Sequence, residues 1–137
     1  MMLWQHFLAC SALAILLYPM FGVAALLVFV SGFLIDIDHP LYFFIKFKEI
    51  SFKKTYWYFR NIGLRHNREE YQKVIRPFHT IEALGMILVG IFYFPWLSPL
   101  VAGWIVHLAM DIIEEWKIFR LLPHFSLVLY LYKQKTL

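Results

Sequence analysis

The sequence predicts an all-α integral membrane protein, a four-helix bundle built from two transmembrane hairpins. Three observations predict this fold. Hydrophobic residues make up 61% of the 137 residues, against about 45–50% in ordinary globular domains. Two long runs, Met1–Ile35 and Ala83–Met110, contain no Asp, Glu, Lys or Arg. All thirteen Lys and Arg residues lie outside these runs, in the connection 40–77 or after residue 116.

The first apolar run is too long for a single span. A straight helix over Met1–Ile35 would measure about 52 Å, whereas the hydrocarbon core of a bilayer is about 30 Å thick. Pro19 and Gly22 interrupt the run near its middle. We therefore predict a hairpin with spans over 3–17 and 21–35. The run has no basic segment before it and no polar break after it, so we expect it to be retained rather than cleaved as a signal peptide.

The second apolar run repeats this pattern. Pro95 and Pro99 interrupt it, which predicts spans over 80–94 and 100–116. With four spans, both termini lie on the same side of the membrane as the basic segments. Cytoplasmic segments carry an excess of Lys and Arg, so we predict that this side is cytoplasmic. The chain 1–137 is then one integral membrane domain.

The connection 40–77 joins the two predicted hairpins. Its first part, 41–60, interleaves aromatic rings with Lys and Arg, which is typical of an amphipathic segment lying among anionic lipid headgroups. Its basic residues either hold a phosphate headgroup or serve the topology and contact membrane lipids, and we expect no nucleic acid partner. These residues are Lys53, Lys54, Arg60, Arg65 and Arg76. A short final helix is expected over Phe125–Tyr132, too short to span.

Seven candidate metal ligands lie at the predicted cytoplasmic ends of the spans. An Asp at the centre of a membrane helix costs about 2.5–3.5 kcal/mol on insertion scales, so we expect such groups to pair, line a wet cavity or bind something. The seven are His6, Asp36, Asp38, His39, His79, His107 and Asp111. Four-helix bundles build metal sites from facing helices, and we therefore predict a metal site on the cytoplasmic side.

Two of the motifs have helical spacing. His107 and Asp111 are four residues apart, so their side chains share one helix face and suit one divalent cation. A hydrogen-bonded pair that only locks helix packing is the alternative. His79 precedes the third span, with Thr80 as its expected cap and Glu82 within the first turn. The alternative for His79 is an ordinary interfacial histidine.

The block from Asp36 to Pro40 places two carboxylates and an imidazole where an apolar run ends. Pro40 disfavours helical structure at His39, so we expect the helix to unwind here and its ligands to point to one centre. Alternatively, the acids merely end the span at the headgroups. His6 taken alone is equally compatible with an interfacial histidine that binds nothing.

The ligand set indicates the metal and the chemistry. Imidazole favours Zn²⁺, Mn²⁺ or Fe over Ca²⁺ or Mg²⁺, and Cys10 is the only cysteine. The set exceeds the four positions of a structural zinc site, so one ion with orienting carboxylates or two ions would fit. Because two-metal centres handle phosphate esters, we predict phosphoester hydrolysis. Glu82 or Glu114 would orient or deprotonate the water, whereas Glu115 is predicted to be solvated.

At these residues the chain resembles a family of small bacterial and archaeal membrane proteins regarded as metal-dependent hydrolases, typified by a LexA-controlled inner-membrane protein. The family pattern is an N-terminal His, a Pro-Asp-x-Asp-His block, a Thr-His-Ser block and a His-x-x-x-Asp pair. The matching residues are His6, Asp36, Asp38, His39, His79, His107 and Asp111, with Ile35 in place of the Pro. The resemblance implies hydrolysis at a metal site without naming a substrate.

The resemblance excludes the connection 41–75 and the tail. Val74-Ile75 stand where the family often has a His-Arg pair, and Arg76 or His66 is the candidate substitute. The ligand pattern is also similar, more distantly, to the all-helical zinc-dependent phospholipases C and single-strand nucleases. That second similarity implies zinc and phosphoester chemistry by analogy alone.

Two non-enzymatic functions are the alternatives. A structural or transport protein would also place Asp and His in a membrane. Transport requires polar groups across the outer half of the bundle, but between 17 and 21 and between 94 and 100 only Tyr18 and Ser98 have polar side chains. The other alternative is a membrane-anchored scaffold that binds acidic partners through residues 41–76.

Overall fold

The computed structural model describes residues 3–120 and 126–135, and all regular elements in these ranges are helical. The α-helices are α1 Leu3–Phe21, α2 Leu27–Leu34, α3 Asp38–Phe47, α4 Phe52–Leu64, α5 Arg68–Gln72, α6 Ile81–Tyr93, α7 Ser98–Phe119 and α8 Leu127–Lys135. Single 3₁₀ turns lie at Gly22–Leu26, Ile35–Ile37, Pro77–His79 and Pro95–Leu97. The prediction of an all-α chain is confirmed.

Helices α1 and α2 fold back on each other as an antiparallel hairpin. The reversal begins at Gly22, whose φ of 54° lies in the left-handed region that glycine tolerates. Cys10 and Ala14 of α1 pack against Val28 of α2. A Cβ on Gly32 would lie 2.0 Å from the Cys10 sulfur, so the two backbones approach closely because residue 32 has no side chain.

Helix α7 is the centre of the bundle and packs against α1, α2 and α6. It approaches α2 at Gly103, where a Cβ would lie 2.1 Å from Ser31 Oγ and 2.7 Å from the Val28 carbonyl oxygen. On another face, Trp104 packs with Ile35 and with residues of α6. These contacts make α2 and α7 parallel, with α1 and α6 antiparallel to both. The starts of α1 and α6 therefore meet the ends of α2 and the latter half of α7.

Among the described residues, two segments are long and apolar enough to cross a membrane, Trp4–Phe47 and Pro95–Phe119. The first is not one straight helix, because it contains the α1–α2 hairpin. In its apolar stretch of 18 residues only 17% is buried, and in the corresponding stretch of the second segment 33% is buried. A core helix of a soluble protein would be mostly buried, so these exposed surfaces favour contact with lipid. The number of spans and their orientation stay predictions.

The block around Asp36 unwinds less than predicted. Ile35–Ile37 form one 3₁₀ turn, but α3 begins directly at Asp38 and includes His39. The expectation that Pro40 ends the helix at His39 is therefore wrong. Pro40 stands in the first turn of α3, where backbone N–H groups have no intrahelical partner and proline is tolerated.

The remaining predicted elements are found with adjusted ends. Thr80 caps α6, as predicted, by accepting a hydrogen bond from the Ala83 amide at 3.3 Å. The predicted final helix over Phe125–Tyr132 corresponds to α8, which begins at Leu127, and Phe125 lies outside the described residues. The connection between the hairpins folds into α3, α4 and α5.

The close contact between α7 and α2 gives a stability prediction. We expect Gly103→Ala to lower the free energy of unfolding by about 1–3 kcal/mol, because the added methyl group meets the Val28 backbone. Gly90→Ala in α6 is the matched control, since a Cβ there meets nothing within 4 Å. Denaturant titration in mild detergent measures both. Equal effects of the two substitutions would contradict the packing described for α7.

Candidate metal centre

The structure brings all seven predicted ligand residues into one network of contacts. They come from the start of α1, the turn after α2, the start of α3, the turn before α6, and α7. Four of them form the centre of this network, and each offers one ligand atom within 4.8 Å of the others. These four, the central cluster, are Asp36, His79, His107 and Asp111.

Distances within the central cluster are those of a tetrahedral site. His79 Nε2 lies 3.1 Å from His107 Nε2 and 3.1 Å from Asp111 Oδ2. The same nitrogen is 3.5 Å from Asp36 Oδ1. His107 Nε2 lies 3.4 Å from Asp36 Oδ1 and 3.3 Å from Asp111 Oδ2. An ion with four bonds of about 2.0–2.1 Å has ligands about 3.3–3.4 Å apart, so five edges of the tetrahedron are in place.

Hydrogen bonds at Nδ1 orient both imidazoles of the central cluster. His79 Nδ1 donates to Asp38 Oδ2 at 2.8 Å, and His107 Nδ1 donates to the Gly32 carbonyl oxygen at 3.2 Å. Because each Nδ1 faces an acceptor, it carries the proton and leaves the Nε2 lone pair directed at the centre. A metal-binding histidine held by a carboxylate or a carbonyl in this way is a recurrent arrangement.

The other three predicted ligands lie around the central cluster. Asp38 is only 1% exposed and accepts hydrogen bonds from both His79 and His39, the latter at 2.9 Å. His6 is 3% exposed, with Nε2 3.3 Å from Asp111 Oδ1 and its ring stacked on His107 at 4.1 Å. The structure thus places Asp38, His39 and His6 where they hold the central ligands in position.

The central cluster attracts positive charge. Burial lowers the pKa of His79, but hydrogen bonds with Asp111, Asp36 and Asp38 outweigh it and raise that pKa well above its ordinary value. A proton on His79 or a metal cation therefore satisfies the three carboxylates. A cation that binds through Nε2 must displace this proton, so metal affinity should rise with pH.

The site opens on one edge. The side chains of Asp36 and His39 are 23% and 25% exposed, whereas His107 is fully buried and His79 and Asp111 nearly so. The His39 ring lies edge-on to Phe59 of α4, with centroids 4.6 Å apart. Asp36 and His39 therefore form the solvent-exposed edge of the site.

Glu82, predicted to orient the water, is engaged elsewhere. Its carboxylate accepts hydrogen bonds from Ser126 Oγ at 2.5 Å and from the amides of Leu127 and Val128 at 3.1 and 3.4 Å. Both oxygens thus cap the start of α8. Glu114, the other predicted residue, is half-buried on α7 in the turn after Asp111.

Sequence reasoning missed a buried ion pair beside the centre. Glu115, which we expected to be solvated, is only 7% exposed and pairs with Arg76, which is 9% exposed. The Arg76 guanidinium also lies over the Tyr71 ring, 4.8 Å from its centroid. Arg76 is therefore buried against Glu115, and the lipid contacts predicted for the basic residues stay a prediction. The helical spacing could have indicated the burial of Glu115, because Glu115 follows Asp111 by four residues and lies on the same helix face.

Comparisons with known proteins add no relative. No protein-family model, no curated protein and no solved structure matches the chain. The specific hydrolase family that the motifs resemble is therefore not supported by these comparisons. The structure does show an all-helical chain with a His/Asp cluster that could hold a metal ion, and the function has to be argued from that cluster.

Proposed function

We propose that the chain is a membrane-embedded, divalent-metal-dependent hydrolase at the cytoplasmic face, with phosphoesters as the favoured substrate class and lipid phosphoesters among the candidates. The tetrahedral spacing of Asp36, His79, His107 and Asp111 supports a metal site. The partial exposure of Asp36 carries the proposal that this site is catalytic. Two imidazoles and two carboxylates favour Zn²⁺, with Mn²⁺ or Fe next. The four residues of the central cluster could hold one ion, and a second ion would have to use the outer residues.

The residues in and around the central cluster have different roles in the proposed reaction. When bound, a divalent cation lowers the pKa of a water and neutralises charge on phosphoester oxygens. Asp38 holds His79 in its metal-binding tautomer, and His6 holds Asp111. Asp36 is the ligand nearest to solvent, on the edge where substrate arrives. His39 lies on that edge with Nδ1 held by Asp38, which leaves the Nε2 lone pair to accept a proton from the attacking water.

A structural metal site is the second candidate. Structural zinc sites are closed by four protein ligands, whereas catalytic ones usually have three and a water. The near-complete tetrahedron of the central cluster favours this alternative. The partial exposure of Asp36 favours catalysis, because this ligand can yield its position to water.

One experiment separates these functions. The full chain is purified in mild detergent, its metal is measured by elemental mass spectrometry, and hydrolysis of a chromogenic phosphodiester and a fluorescent phospholipid is followed. We expect one equivalent of zinc and turnover that chelation abolishes and zinc restores. Because protons compete for His79, metal and turnover should both fall as the pH is lowered.

A histidine variant then tests the assigned roles. His39→Gln should retain the metal but lower turnover about 100-fold or more, the usual contribution of a proton-transfer group. His66→Gln is the control, because His66 is exposed and bonds only the Ile118 carbonyl among described partners. Metal without turnover of either substrate would rule out the hydrolase and leave the structural site. Absence of metal would rule out both.

A further inference from the structure

Helices α3 and α4 form a helical hairpin. Lys48 ends α3 in a left-handed conformation with φ of 55°, and Ser51 caps α4 by accepting a hydrogen bond from the Lys54 amide at 3.3 Å. Phe43 and Phe47 of α3 pack against Tyr58 of α4, with ring centroids 5.7 and 5.1 Å apart. The connection 48–51 is thus held at the tip of a packed unit.

The tip of this hairpin exposes large apolar side chains. Ile50 is 79% exposed and Phe52 is 77% exposed. Phe47 and Trp57, which flank the tip, are 45% and 47% exposed. Four exposed large apolar side chains at one turn are unfavourable in water, and such surfaces contact a partner or a membrane.

An open groove of about 530 Å³ lies between α3 and α4 behind this tip. Four of its eight lining residues are aromatic, and two are lysines. The lining residues are Phe43, Phe47, Glu49, Lys53, Lys54, Trp57, Tyr58 and Asn61. The groove therefore offers an apolar floor next to cationic groups, which is the chemistry of an anionic amphiphile.

Residues of the α3–α4 hairpin carry a large excess of positive charge. Residues 41–60 contain five basic residues and one acid, Glu49. Lys46 is already held by Glu70 and Tyr58, and Lys54 pairs with Glu49 at 2.6 Å. Lys48 and Lys53 are exposed and form no ion pair among the described residues. Two uncompensated cations thus flank the apolar tip.

We propose that the α3–α4 tip binds the surface of an anionic lipid bilayer, with Ile50 and Phe52 inserted and with Lys48 and Lys53 on lipid phosphates. Apolar and aromatic side chains placed beside lysines suit the boundary between acyl chains and headgroups, where each cation near anionic lipid contributes favourably. An acidic protein would meet the lysines but leave the apolar tip exposed. The proposal shares the membrane location with the proposed function and does not depend on the metal.

The depth of the tip tests the proposal. In a Cys10→Ala background, Ile50→Cys is labelled with an environment-sensitive NBD dye and the full chain is placed in nanodiscs. One set of nanodiscs contains phosphatidylcholine, and the other also contains phosphatidylglycerol. We expect a blue shift and quenching by brominated acyl chains at position 50, larger with phosphatidylglycerol. The same dye on Glu69→Cys, in exposed α5, should report water in both lipids.

The lysines supply the matched comparison. In the labelled protein, Lys48→Gln with Lys53→Gln should remove most of the phosphatidylglycerol-dependent shift. Arg68→Gln with Lys117→Gln removes the same charge elsewhere on the exposed surface and should not. Water-like emission at position 50 in both lipids, or a shift indifferent to phosphatidylglycerol, overturns the proposal. Asp111→Ala should leave the shift unchanged, so failure of the metal site and failure of this surface are distinguishable.

Discussion

Replacing Asp111 with Ala is expected to abolish stoichiometric metal binding while the chain still inserts into the membrane. Asp111 Oδ2 lies 3.1 Å from His79 Nε2 and 3.3 Å from His107 Nε2, and Oδ1 lies 3.3 Å from His6 Nε2. The substitution therefore removes one vertex of the tetrahedron and the anchor of His6. Alanine is the best helix former, so α7 itself should persist.

The expected loss of metal affinity exceeds about 100-fold, the upper value for residues that only support a ligand. Elemental mass spectrometry of the purified variant measures the metal, and carbonate extraction measures insertion. Glu69→Ala, which removes an exposed acid from α5, is the control and should keep its metal. Stoichiometric metal in the Asp111→Ala protein would refute the central cluster.

Replacing Arg76 with Ala should lower the free energy of unfolding by about 3–5 kcal/mol, because Glu115 would remain buried without its partner. Glu115 Oε2 already has no hydrogen-bond partner among the described residues. Burial lowers the pKa of Arg76, but Tyr71, Glu115 and Asp111 raise it above its ordinary value. The guanidinium thus remains charged at every working pH.

The double variant Arg76→Met with Glu115→Leu separates the charge from the packing. Well-packed apolar residues often replace a buried ion pair without loss, so the double variant should be more stable than Arg76→Ala. Denaturant titration in detergent measures the free energy of unfolding of the unsubstituted protein, of Arg76→Ala and of the double variant. Arg68→Ala, at an exposed position, should change the free energy of unfolding by less than about 0.5 kcal/mol. An Arg76→Ala effect as small as this control would contradict a buried pair.

The helices could be predicted because apolar runs and their interruptions are local features. The exact ends of the helices could not be predicted, because they depend on the backbone conformation of individual residues. Pro19 lies inside α1, which continues to Phe21, and the residue that reverses the chain is Gly22 with its positive φ. A proline near the end of a helix removes one hydrogen bond, and the helix continues past it when the following residues have helical conformations.

Residue roles at the site were harder to predict than residue types. Asp36 and Asp38 are two positions apart, and only the 3₁₀ turn between α2 and α3 directs Asp36 into the central cluster and Asp38 to the back of His79. The roles of Glu82 and Glu115 could not be predicted for a similar reason. Their partners, Ser126 and Arg76, lie 44 and 39 residues away in the chain, and no local pattern relates them.

The sequence by itself determined the helical class, the apolar segments and the gathering of histidines and aspartates at their ends. Composition and periodicity carry this information, because burial and helix formation depend on neighbours along the chain. Only the tertiary structure decided which four side chains face each other at tetrahedral distances, which carboxylate supports an imidazole and which arginine is buried. Those choices depend on the approach of α2, α6 and α7 to within a few ångströms, which packing between distant segments sets.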